Sequence, residues 1–218
     1  MEPLILYFVL FFPGVYNIPF SGAIPLSESI HFSIFRELGR TITYTLPSLA
    51  LIWYLISDRR GFTAFAGERP KKTDIFSLSI GIPGLILIGL GISFLVLHFP
   101  DYQGLTPPPR VEAPAGGIGW AVMAVSCLLT GYLEESFFRY YLITFLERQI
   151  PNAVIRIALS TLLFSACHIY EGPWGILNAV LAGIFLSILF VRYRSLHGIA
   201  CAHGCYNIFV YIMGIFSF

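Results

Sequence analysis

Apolar residues collect into seven long segments separated by short polar or proline-rich connections: Leu4 to Phe20, Thr41 to Ser57, Ile75 to Phe99, Ile118 to about Leu146, Ala153 to Tyr170, Gly175 to Val191 and Leu196 to Phe216. A bilayer-spanning helix needs roughly 20 apolar residues, so seven spans take up about 140 residues. In a chain of 218 that leaves only loops and termini, and the expectation is one membrane-embedded domain over residues 1–218. The predicted fold class is all-α, a polytopic integral membrane bundle of about seven transmembrane helices. An eighth span stays open, although its parity would break the charge pattern described below. The first segment is the weakest, because it contains Pro13, Asn17 and Pro19. It lacks the basic start and small-residue cleavage site of a signal peptide, so a kinked or partly inserted helix retained in the mature protein is expected.

Composition excludes several classes at once. The chain is 56% hydrophobic, 16% aromatic and only 11% charged, with a mean hydropathy of +0.77. Soluble domains carry about 25% charged residues, so a water-soluble enzyme and a disordered chain are both disfavoured. A net charge of +1 offers no electrostatic footprint for nucleic acid. The surroundings implied are the lipid bilayer. The cysteines Cys127, Cys167, Cys201 and Cys205 all fall inside apolar stretches and are expected to pack rather than form disulfides.

Loop charges orient the bundle. Arg59, Arg60, Arg69, Lys71 and Lys72 lie between the second and third segments, Arg148 and Arg156 around the turn after the fourth, and Arg192 and Arg194 before the seventh. These alternate connections hold nine of the 13 basic residues, whereas Arg36 and Arg40 merely lead into the second segment. The positive-inside rule then predicts a cytoplasmic N-terminus and an outer C-terminus. The longest outer loop, Pro100 to Gly117, is rich in proline and glycine and reads as a linker or lid.

Charges inside a spanning segment cost about 2.5–3.5 kcal/mol each on insertion scales, so they call for pairing, a water-filled cavity or a function. The fourth segment carries Glu134, Glu135 and Arg139 within two turns. Glu135 and Arg139 are four apart, acid first, the favourable order for an ion pair. Glu134 points about 100° away. Arg139 is therefore expected to neutralise Glu135, leaving Glu134 free to exchange a proton with water as a general base. Taken alone, the cluster could also be a structural contact between helices.

It does not stand alone. The fifth segment ends in Phe164 and His168, and the seventh contains His203 and Asn207, each pair four residues apart and so on one helical face. Two histidines, an asparagine and the Glu-Glu-Arg cluster on separate segments point to one convergent polar site. His197 lies on another face from His203, and His98 and His31 are expected at the interface. Trp53, Trp120 and Trp174, near segment ends, fit aromatic belts.

In content, order and spacing, Glu134-Glu135-x-x-x-Arg139, Phe164-x-x-x-His168 and His203-x-x-x-Asn207 resemble the CPBP family of intramembrane proteases (CAAX-protease and bacteriocin-processing, also called Abi). That family includes the type II CAAX prenyl endopeptidases. The matching motifs lie within residues 131–207. The resemblance implies peptide-bond hydrolysis near the C-terminal or membrane-anchored segment of a substrate protein, in a cavity within the membrane. It also implies that Glu134 and His168 activate the attacking water, that His203 and Asn207 stabilise the oxyanion, and that Glu135 and Arg139 support the site. No cofactor is implied. A zinc-dependent version using Glu134, His168 and His203 is the alternative, although no His-Glu-x-x-His pair is present and Asn207 is a poor ligand. The short chain looks more like the prokaryotic members, in a cytoplasmic membrane, and a prenylated substrate is open rather than implied. A transporter or scaffold is the rival from another class. Against it, the ionisable groups expected within spans all fall in the last 90 residues, without the two-fold repetition common in carriers.

Depth poses a conflict. Counted from the cytoplasmic ends of their helices, Glu134 lies roughly 18 Å deep, His168 roughly 22 Å and His203 roughly 10 Å. These groups must nevertheless meet.

Overall fold

The computed structural model describes residues 2–11, 32–60, 70–98 and 112–216, and every element among them is helical. The order is α1 (Glu2–Leu10); α2 (Ile34–Arg40), running through a wider turn at Thr41–Thr45 into α3 (Leu46–Arg60); α4 (Lys72–His98); and α5 (Gly116–Glu135), running through Ser136–Ile143 into α6 (Thr144–Glu147). Then come α7 (Ala153–Ala166), a 3₁₀ turn at Ile169–Glu171, α8 (Gly172–Tyr193) and α9 (Leu196–Phe216). Among the described residues, four helical stretches are long and apolar enough to cross a bilayer: Lys72–His98, Gly116–Glu147, Ile169–Tyr193 and Leu196–Phe216. Their outward faces carry large exposed apolar side chains such as Leu87, Leu97, Ile118 and Ile188, which suit lipid rather than water. The protein is an integral membrane protein of the all-α class.

As far as the described residues reach, the expected segments fall on helices, and the fifth differs in extent. α1 is the described part of the first segment; its Leu6, Tyr7 and Leu10 are buried, and the neighbouring Phe11 packs 4.8 Å from the rings of both Phe137 and Phe138. Pro13, Asn17 and Pro19, His31 and most of the proline-rich connection lie outside the described residues. The fifth helix is shorter than the apolar run. It is capped by Asn152, whose Oδ1 accepts the Val154 N–H at 2.8 Å, and it ends at Ala166 instead of Tyr170. Its 14 residues rise only about 21 Å. Gly172, at φ 76°, and Pro173 in the first turn of α8 redirect the chain there.

Two polar clamps tie the helix ends on one rim. Asp74, near the start of α4, accepts the backbone N–H of Lys71 at 2.6 Å, the Ser195 hydroxyl at 2.5 Å and the Gly198 N–H at 3.4 Å. It therefore caps its own helix and fixes the start of α9 beside it. Glu147, at the end of α6, pairs with Arg194 and lies 3.6 Å from Arg156.

The crossing of α5 and α9 positions everything that follows. A Cβ added to Gly131 would lie 2.7 Å from the Gly204 nitrogen and 2.8 Å from the Ala200 carbonyl oxygen, and one added to Gly204 would lie 2.7 Å from the Leu128 Cα. The two backbones are in contact, as small residues permit between membrane helices. Side chains lean toward the N-terminus of their own helix. Around an antiparallel crossing at Gly131 and Gly204, residues just after these glycines on α5 and just before them on α9 therefore lean toward each other.

Gly204→Ala is expected to lower stability by roughly 1–3 kcal/mol through overpacking, measured as unfolding of the detergent-solubilised protein. Gly91→Ala, where an added Cβ meets nothing within 4 Å, is expected to leave stability unchanged or raise it through better helix propensity. Equal effects at the two positions would refute the tight crossing.

Candidate active site

The centre of the site is the Glu135 carboxylate, which is fully buried. Its Oε1 accepts a hydrogen bond from Arg139 Nη1 at 2.8 Å and lies 2.7 Å from His203 Nδ1. The ion pair expected from the four-residue spacing is therefore present. The other imidazole nitrogen, Nε2 of His203, is 3.5 Å from Glu134 Oε2. An imidazole from α9 thus stands between two consecutive carboxylates of α5. Glu134 remains partly accessible, its side chain 17% exposed, as a group exchanging protons with water must be.

Arg139 is held from three directions. Besides Glu135, Nη2 donates to the Gly183 carbonyl of α8 at 3.3 Å, and the guanidinium carbon lies 4.4 Å from the centre of the Phe164 ring. That cation–π contact suits a charge with no water around it. Arg139 Nε and Glu135 Oε2 have no hydrogen-bond partner among the described residues. Beyond Glu135 the helix winds in a wider form over Ser136–Ile143, of the kind that appears as local bulges, frequently at functional sites.

Phe164 joins the histidines. Its ring centre is 4.6 Å from that of His168 and 5.9 Å, edge-on, from that of His203. The sequence marks Phe164 only as one end of a four-residue spacing, whereas the structure makes it the common wall of Arg139, His168 and His203. His168 is not within a helix as expected. It occupies the turn between α7 and the following 3₁₀ segment, with φ −103°. Its ring is nonetheless fixed, because Nδ1 lies 2.8 Å from the Phe164 carbonyl oxygen. A carbonyl can only accept, so Nδ1 carries a proton, and of the two neutral tautomers the contact selects the one with its lone pair on Nε2.

Asn207 follows His203 by one turn of α9, half-buried, its carboxamide making no hydrogen bond to a described residue. Its neighbour Tyr206 donates to Asn178 Oδ1 of α8 at 2.9 Å. That contact was not anticipated, though Asn178 is visible in the sequence as a lone amide in an apolar segment. His197 pairs instead with the Tyr132 hydroxyl at 3.2 Å, and His98 with the Phe94 carbonyl at 2.9 Å, so neither joins the cluster. All four cysteines are free. Among the described residues no three His, Cys, Asp or Glu side chains are grouped to hold a metal ion.

Glu37 and Arg40 of α2 lie against Ser126 and Thr130 of α5. Arg40 Nη2 donates to Ser126 Oγ at 2.8 Å, and Ser126 Oγ donates to Glu37 Oε2 at 2.9 Å. Counting from Gly116, those α5 positions are roughly 15–21 Å along the helix. The sequence places Arg40 at the edge of a span, and only the packing of α2 on α5 brings it to these hydroxyls.

No curated protein and no solved structure matches the chain. Residues 115–209, which supply Glu134, Glu135, Arg139, Phe164, His168, His203 and Asn207, match the Rce1-like family of type II CAAX prenyl endopeptidases, so the resemblance drawn from the three motifs holds at the level of that family of CAAX-type intramembrane proteases.

Proposed function

We propose that the protein is an intramembrane endopeptidase that hydrolyses a peptide bond near the C-terminal or membrane-anchored segment of a substrate protein. The observation that carries this reading is the His203 imidazole between Glu134 and Glu135, inside the stretch that matches the protease family. Glu134 takes a proton from water as the water oxygen attacks the scissile carbonyl carbon. His168, through the lone pair of Nε2, orients the same water. The tetrahedral intermediate then collapses with cleavage of the C–N bond, and the proton held by Glu134 passes to the leaving nitrogen. The products are a carboxylic acid and an amine.

Negative charge on the intermediate needs donors. Nδ1–H of His203 donates to Glu135, so Nε2 has a hydrogen to offer the intermediate only in the positive imidazole, for which the buried carboxylate at its back supplies the countercharge. Asn207 offers its carboxamide NH₂ one turn along the same helix. Glu135 and Arg139 position His203 without touching substrate.

Glu134→Gln is expected to abolish cleavage of a membrane-anchored reporter while leaving a folded, inserted protein; full activity would sink the assignment. Asn207→Asp, which replaces a donor with an acceptor, is expected to lower kcat by about 10²–10³ with little change in substrate binding. An Asn207→Asp variant that cleaves at the parent rate would leave Asn207 as a contact between helices.

We propose a reaction without metal, supported by the absence of a His-Glu-x-x-His pair and the poor ligand character of Asn207. Metal-depleted protein is expected to keep its rate, and zinc-restored activity after chelation would recast Glu134, His168 and His203 as ligands.

The proposed setting is a prokaryotic cytoplasmic membrane with the N-terminus inside, supported by the basic residues of the alternate loops. A cysteine introduced beside Lys71 is expected to resist an impermeant thiol reagent in intact cells, and one beside Gln103 to react. The reverse pattern would invert the protein.

A further inference from the structure

The helical stretch Gly116–Glu147 is 32 residues long. At about 1.5 Å per residue it rises roughly 48 Å, more than the ~30 Å hydrocarbon core and close to the roughly 40–45 Å of a bilayer with its headgroups. As a span it therefore ends in the headgroup layer, and Arg148 is the next residue. Trp53 of α3, stacked 5.5 Å from the ring of Tyr140, suits the same layer. Between α3 and the end of α6 opens a cleft of about 250 Å³ with two kinds of wall. Ile56, Tyr140 and Phe145 supply apolar surface, and Thr144, Arg148 and Gln149 supply polar groups.

Charge sets what fits there. Neighbouring arginines are engaged: Arg194 pairs with Glu147, and Arg156 lies 3.6 Å from the same carboxylate while donating to the Ile150 and Pro151 carbonyls. Arg148 is exposed and makes no hydrogen bond or ion pair with a described residue. Glu147 already faces two arginines, and Asp58, two residues and about 200° beyond Ile56 on α3, does not line the cleft. Tyr141, which does, donates its hydroxyl to Glu2 Oε1 at 2.7 Å. A planar, permanently charged fork matches phosphate oxygens, and apolar surface beside it matches the start of an acyl chain. We propose that this cleft binds an anionic phospholipid, with its phosphodiester on Arg148, Thr144 and Gln149 and its chain on Ile56 and Phe145. The lipid fastens the end of the long helix to the headgroup layer, independently of the chemistry at Glu134.

The test uses the full-length chain in phosphatidylcholine vesicles holding a minor share of phosphatidylglycerol, with Trp120→Phe and Trp174→Phe leaving Trp53 as the remaining tryptophan. Bromine on the acyl chains of one lipid or the other quenches Trp53 when that lipid sits beside Tyr140. In this parent, brominated phosphatidylglycerol is expected to quench at a roughly tenfold lower mole fraction than brominated phosphatidylcholine, the worth of a hydrogen bond to a charged group. Arg148→Gln is expected to bring that ratio to about one. Arg192→Gln, which removes the same charge from the same rim outside the cleft, is expected to leave it unchanged. Equal quenching by the two lipids in the parent overturns the proposal with no variant needed. An equal loss in both variants also overturns it, as a general attraction of basic residues for an anionic surface. Millimolar inorganic phosphate is expected not to relieve the quenching; relief would make the ligand a free phosphate and overturn the lipid. Equal quenching of all three proteins by brominated phosphatidylcholine is expected from intact insertion.

Discussion

A carboxylate removed from water and shared by two cations or hydrogen-bond donors is the constraint on which this structure rests. Glu135 cannot be buried alone, since an ion in a medium of low dielectric loses several kcal/mol of solvation. It is stabilised by Arg139 from its own helix and His203 from another. Each of those needs further support, which Arg139 finds in the Gly183 carbonyl and the Phe164 face. Helices α5, α7, α8 and α9 are thus joined by one polar chain. Breaking a buried pair of this kind leaves an uncompensated charge that costs about 3–5 kcal/mol, more than most single packing contacts contribute.

That chain also divides labour between two adjacent glutamates. They differ by one position and so by about 100° around the helix. One rotates into the protein and becomes a fixed countercharge; the other rotates to where water reaches it. His203 connects them with one nitrogen on each side. The ring thus links Glu134 to the Glu135–Arg139 pair, while the helix packing around it holds its position.

Much of this was legible in the sequence because charges stand out against an apolar background. Glu134, Glu135 and Arg139 are conspicuous in a spanning segment, and the four-residue spacing of His203 and Asn207 needs no structure. What stayed hidden depends on which helix meets which. The conflict in depth among Glu134, His168 and His203 is resolved for the α5 and α9 groups by the Gly131–Gly204 contact, which sets their register. Neither glycine announces its partner. Arg40 was illegible for a related reason, since one-dimensional order puts it at a segment edge and only the packing of α2 on α5 brings it to Ser126. The early end of α7 was masked because the apolar run continues through Ile169 and Tyr170, so hydropathy gives no stop signal before Gly172 and Pro173.

The shortness of α7 also bears on the supply of the second reactant. Where a helix stops within a bilayer, peptide groups in the turn lose their regular partners, and irregular backbone is stable at such depth only when covered by protein or facing a water-filled cavity. The turn at Cys167 and His168 satisfies part of this demand internally, through His168 N–H to the Ser165 carbonyl and Glu171 N–H to the His168 carbonyl. The exposed Tyr170 and Glu171 beside it leave the rest to solvent. Hydrolysis in a membrane is limited by how water arrives as much as by what activates it. α7, which ends at Ala166 two residues before His168, is thus a break in the regular helix and, on the proteolytic reading proposed above, the place where incoming water would reach that imidazole.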